Sequence, residues 1–223
     1  MKKYILSFSL LLGVNYFSLA QNATPHVFQD EINAFAKADS LHAAIENSIL
    51  FVGSSSFRLW KNINESFPGY PIINRGFGGA VLSDVIYYSK ETILKYHPKQ
   101  IYIYCGENDI AASDSITPEM VLNRFKDLYT IIRTNLNTSV PVVFVSLKAS
   151  IARWNMEDRI VKANQLIKEY IVTQKNVIFL DVHTPMLDAN GQVYKDIFVA
   201  DNLHMNAKGY QIWQKIIAPT LVK

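Results

Sequence analysis

Ile49-Leu50-Phe51-Val52-Gly53-Ser54-Ser55-Ser56-Phe57-Arg58-Leu59-Trp60 begins as an apolar run and stops at a glycine and three serines. A short run of Ile, Leu, Phe and Val bounded by a Gly/Ser cluster reads as a buried strand that ends in a tight turn. In open α/β sheets the ligand crevice lies beyond the carboxyl ends of the strands, so a hydroxyl on Ser55 would project into it.

Outward from this stretch the pattern repeats. Apolar runs over 71–74, 100–105, 140–147 and 176–180 read as four more strands. Helical spacing of apolar residues covers 28–48, 83–94, 118–135, 156–174 and 206–222, with Pro118 in a first turn and His97-Pro98 as a stop. Strands that alternate with helices of this length imply βαβ units, a parallel sheet and helices on both faces. The expected fold is a single three-layer α/β/α domain around a mostly parallel five-stranded sheet. No repeat, low-complexity run or long linker divides the chain.

The length of 223 residues and the 49% hydrophobic content suffice for one sizeable core. Met1-Lys2-Lys3, the apolar residues from Tyr4 to Val14, and Ser18-Leu19-Ala20 together read as a signal peptide over 1–20, leaving a domain over 21–223. The apolar run is too short to span a bilayer, so a stable membrane anchor is not expected. The expected location is the periplasm or beyond, after cleavage near Ala20. Removing Lys2 and Lys3 from the 22 basic side chains leaves 20 against 19 acidic ones, a net charge of +1. That balance gives nucleic acid or anionic lipid no electrostatic hold. The lone Cys105 excludes an internal disulfide, and its place in an apolar strand reads as an inert core thiol.

The turns after these strands hold groups suited to acyl transfer. A serine hydroxyl becomes nucleophilic only when a base takes its proton; His204 is the candidate base, and Asp201, three residues earlier, is placed to orient it. The charge that builds on a carbonyl oxygen needs N–H donors, which the Ser55 amide, Gly79 in the glycine-rich stretch 75–80, and the Asn108 side chain can supply. Asp181 and His183 form a rival acid and base, and with Asp201 and His204 a conceivable metal set without recognisable ligand spacing. Arg153 and Trp154, in the loop after the fourth strand, are candidate substrate contacts.

Four blocks in order, Phe51-Val52-Gly53-Ser54-Ser55-Ser56, Asn74-Arg75-Gly76-Phe77-Gly78-Gly79, Gly106-Glu107-Asn108-Asp109 and Asp201-Asn202-Leu203-His204, resemble the SGNH hydrolases, the GDSL-type esterases and acylhydrolases. The resemblance implies a flavodoxin-like fold, Ser55 as nucleophile, Ser55, Gly79 and Asn108 as oxyanion hole, and Asp201 with His204 completing a triad. It implies no metal or organic cofactor. It further implies a serine esterase acting on small acyl esters or acylated carbohydrates. The usual Gly-Asp-Ser is Gly53-Ser54-Ser55 here, which leaves Ser54 and Ser56 as rival nucleophiles and motivates a second reading, a carbohydrate- or lipid-binding module without catalysis. A lysophospholipase or an acyltransferase remains a further alternative.

Overall fold

The computed structural model describes residues 26–41 and 47–223. The expected signal peptide lies outside the described residues. A five-stranded sheet forms the centre, with β1 (Ile49–Gly53), β2 (Ile72–Gly76), β3 (Gln100–Tyr104), β4 (Val142–Val145) and β5 (Val177–Leu180) in spatial order β2-β1-β3-β4-β5. Every pairing is parallel, so the sheet expected to be mostly parallel is wholly so. Gly53 of β1 stands level with Gly76 of β2 and Tyr104 of β3. Their following loops therefore leave the sheet side by side, at the place where strand order reverses and crevices form.

Helices cover both faces. α1 (Gln29–Leu41) precedes β1; α2 (Ser55–Arg58) and α3 (Ile63–Ser66) join β1 to β2; α4 (Leu82–Tyr87) and α5 (Ser89–Thr92) join β2 to β3. α6 (Glu107–Ala112) and α7 (Pro118–Asn135) precede β4, α8 (Glu157–Ile171) precedes β5, and α9 (Ala207–Ile217) closes the fold. Alternation along β1 divides the core. Leu50 and Val52 face α1, α4, α7 and α8, whereas Ile49 and Phe51 face α2, α3 and α9. On the second face Phe51, Phe57, Trp60, Tyr104 and Trp213 meet ring against ring, all essentially without solvent contact. Each such aromatic contributes roughly 1.5–3 kcal/mol by leaving water.

Several expected helices are shorter in the structure. The one over 83–94 breaks at Tyr88, whose φ of −93° and ψ of 16° leave the helical region, and Ser89–Thr92 forms a separate short turn. The closing helix ends at Ile217 instead of residue 222, because Pro219 has no N–H to continue it and a 3-10 turn follows. The first helix is described only as far as Leu41, where 28–48 was expected; residues 42–46 lie outside the described part.

Gly53 decides how β1 meets its turn. Its φ is +139°, and a Cβ there would stand 2.0 Å from the Tyr104 carbonyl oxygen, a main-chain atom that cannot step aside. Gly53→Ala is therefore expected to cost roughly 2–4 kcal/mol. A thermal melt should show the midpoint falling by about 5–15 °C. A midpoint within about 2 °C of the wild type would contradict this account.

Candidate active site

Ser55 is the first residue of α2, directly after the β1 turn. Its neighbours Ser54 and Ser56 are buried at 3% exposure, while Ser55 remains partly open. Only the Ser55 hydroxyl meets an imidazole: Oγ lies 3.0 Å from His204 Nε2. On the other side of that ring, Nδ1 lies 2.6 Å from Asp201 Oδ2. An ionised carboxylate can only accept, so Nδ1 carries the proton and Nε2 is left to accept from Ser55.

The Asp201 carboxylate is fixed before it meets the ring. Its Oδ1 accepts the Leu203 and His204 amides, both at 2.9 Å, in a turn where Asn202 adopts φ 57°. Partial burial pushes its pKa up, but the His204 ring and these two amides outweigh that and hold it at about 2. The turn is tied at both ends. The Val199 amide donates to the His204 carbonyl at 2.8 Å, and Asn206 caps α9 by accepting the Lys208 amide at 2.9 Å. The Ala152 amide donates to the Asn202 carbonyl at 3.1 Å, joining this turn to the segment that carries Arg153 and Trp154.

Donors gather beside the hydroxyl. Among the described residues the Ser55 and Gly79 amides have no protein acceptor, whereas the Gly78 amide is taken by both oxygens of Glu31 at 3.1 Å. Glu31 also pairs with Arg58 Nε at 2.8 Å, so α1 holds the glycine loop against α2. The place a Gly79 Cβ would occupy is 3.9 Å from Asn108 Nδ2. Asn108 starts from α6, and its Nδ2 donates to the Ala80 carbonyl at 3.0 Å, which leaves one N–H of that amide. Tyr210 donates its hydroxyl proton to the Ser56 carbonyl at 2.8 Å and steadies the turn from the α9 side.

The rival acid and base are elsewhere. His183 Nε2 lies 2.6 Å from Glu157 Oε1, and Asp181 Oδ1 accepts the His183 and Thr184 amides at 2.9 and 3.0 Å. The side chains of the rival acid and base thus have separate partners and do not pair with each other through the ring. Among the described residues no three ligating side chains gather as a metal site. Cys105 is fully buried, its Sγ donates to the Ala80 carbonyl at 3.3 Å, and burial pushes its thiol well above the ordinary range.

Arg153 does not stand in the open. Its Nη2 donates to Asn108 Oδ1 at 2.6 Å and its Nη1 lies 3.0 Å from Glu107 Oε1. Trp154 is half-buried, packed on the aromatic cluster that contains Trp213. Glu31, Glu107 and Lys148 were not legible in the sequence as parts of the site. The available signal was Lys148 itself, a charge three residues beyond a fully apolar strand.

The GDSL-like lipase/acylhydrolase family matches residues 39–212, most of the chain and all four blocks. The chain belongs to this family. It is a carboxylic ester hydrolase of the GDSL kind, and its fold has solved counterparts. A GDSL-like lipase from Bacteroides thetaiotaomicron is 19% identical with a TM-score of 0.70, covering 85% of this chain and 96% of that one. A Streptococcus pneumonia protein named for platelet activating factor is 21% identical with a TM-score of 0.75, over 87% and 92%. An acetylxylan esterase from Geobacillus stearothermophilus, solved as a catalytic mutant, is 12% identical with a TM-score of 0.64, over 78% and 93%. A search of curated protein sequences finds no match. No described helix is long and apolar enough to cross a membrane.

Proposed function

We propose that this GDSL hydrolase cleaves short-chain acyl esters, carbohydrate O-acetyl groups among them, through an acyl-Ser55 intermediate. The reading is carried by the line of two hydrogen bonds from Asp201 through His204 to Ser55, ending beside unpaired N–H donors. Ser55 Oγ attacks the carbonyl carbon while its proton passes to His204 Nε2, and the carbonyl electron pair moves onto oxygen. The Ser55 and Gly79 amides and Asn108 Nδ2 receive that oxyanion, each donor worth roughly 3 kcal/mol in a water-poor site. Collapse expels the alcohol, which leaves with the proton from Nε2. Water then repeats the sequence on the acyl carbon, and Ser55 recovers its proton as the carboxylic acid departs. Every proton and bond in this cycle is accounted for without metal or organic cofactor.

A small acyl group is supported by two observations. The triad lies on an open edge, with the Asp201 side chain 47% exposed, and the cavity of about 750 Å³ between α1 and β2 reaches none of its three residues. The likeness in fold to an acetylxylan esterase points the same way. Trp154 is the proposed wall for the sugar or acyl part, since an aromatic face suits either. The leader over 1–20 is proposed to direct export and to be cleaved near Ala20, with 21–223 as the working domain.

The mature chain should turn over p-nitrophenyl acetate and take a fluorophosphonate probe on Ser55, located by mass spectrometry. Across a panel, acetylated sugars should outpace long-chain acyl esters. The absence of both turnover and labelling would replace this reading with a binding module; faster turnover of long chains would overturn the acyl assignment.

A further inference from the structure

The segment after β4 carries a lysine whose ammonium lies inside the protein. Lys148 is 1% exposed, and its Nζ donates to both oxygens of Glu107 at 2.9 and 3.0 Å. Glu107 is 3% exposed; it also accepts the Tyr104 hydroxyl on Oε2 and has Arg153 Nη1 3.0 Å from Oε1. Burial alone would raise the Glu107 carboxyl, but Lys148 and Arg153 outweigh it and keep it ionised. Buried ions of this kind seldom repay their lost hydration in stability alone. What the group does supply is a fixed place for the Arg153 guanidinium.

That guanidinium reaches the reacting face through one bond, Nη2 to Asn108 Oδ1 at 2.6 Å. With Oδ1 claimed by a cation and Nδ2 bonded to the Ala80 carbonyl at 3.0 Å, the amide cannot turn over, and Nδ2 stays on the Gly79 side. We infer that Arg153 is a positioning residue: anchored by Glu107, Lys148 and Tyr104, it locks and polarises the Asn108 amide so that its remaining N–H meets the developing oxyanion. A reversed amide would present a carbonyl oxygen to negative charge. A charge-assisted bond at Oδ1 also draws electrons from Nδ2 and makes its N–H a stronger donor. The inference rests on the proposed role of Asn108 as an oxyanion donor.

The test is steady-state hydrolysis of p-nitrophenyl acetate by the wild type, Arg153→Met, Asn108→Ala and the double variant. Arg153→Met should lower kcat about tenfold with KM unchanged, and Asn108→Ala about a hundredfold. The double variant should be no slower than Asn108→Ala alone, since Arg153 then has no amide left to orient. Should Arg153→Met not fold, Arg153→Lys keeps a cation beside Glu107 without the planar fork, and the same pattern is expected of it. Equal losses with and without Asn108, or a raised KM at constant kcat, would overturn the inference and make Arg153 a substrate contact. A wild type that neither turns over nor labels on Ser55 would instead overturn the esterase reading, and this inference with it.

Discussion

Ser55→Ala is expected to reduce kcat by roughly a millionfold, to a residue of activity that the N–H donors and substrate binding alone provide. His204→Ala should fall to the same level, because a hydroxyl 3.0 Å from an absent base is no better a nucleophile than one in water. The two losses should not multiply in the double variant, since either change stops the same proton transfer. Both variants should keep the wild-type melting curve: Ser55 is only partly buried, and the His204 side chain is 26% exposed. Single-turnover kinetics with a fluorophosphonate probe gives the check. Rapid labelling of a serine other than Ser55 in the Ser55→Ala protein would assign the nucleophile to Ser54 or Ser56.

Asp201→Asn is expected to cost about 10⁴-fold in kcat. The reason lies in the two main-chain amides at 2.9 Å, which keep an oxygen at the Oδ1 position and so put the new NH2 group where Oδ2 was. A donor facing Nδ1 drives the ring proton to Nε2, and Nε2 can then no longer accept from Ser55. The wild-type carboxylate, whose pKa lies at about 2 against an ordinary 3.8, is depressed in the folded state. Its favourable charge is fully present above the ordinary value and is lost only as the pH falls through about 2. The acid limb of kcat/KM should therefore lie well above that range and belong to another group. A limb centred near 3.8 would mean that the Asp201 hydrogen bonds do not form in solution.

The sheet was legible because five apolar runs of strand length each end near turn residues, with Gly53 at the end of β1 and Gly79 and Asn108 in the segments that follow β2 and β3. Ser55, Asp201 and His204 were legible through the order of their blocks, with the geometry added by the fold. The Glu107–Lys148 pair was not, because a buried charge is tolerated only for the partner it finds, and here the partner is 41 residues away. Arg153 could be placed beside the crevice from its loop but not assigned a partner, since a long side chain can turn outward or inward. The break at Tyr88 was not legible because residues 83–94 contain no Gly or Pro to mark it.

The main-chain bond between Ala152 and Asn202 couples two surfaces that an engineer would wish to vary separately. The tract bearing Trp154, the proposed wall for the substrate, is where a change of ester preference would be sought, yet any insertion or deletion there would drag on the turn that aims the imidazole. Selectivity in this scaffold is thus best altered by exchanging side chains at a constant backbone length. Loop transplants from related enzymes would trade turnover for scope.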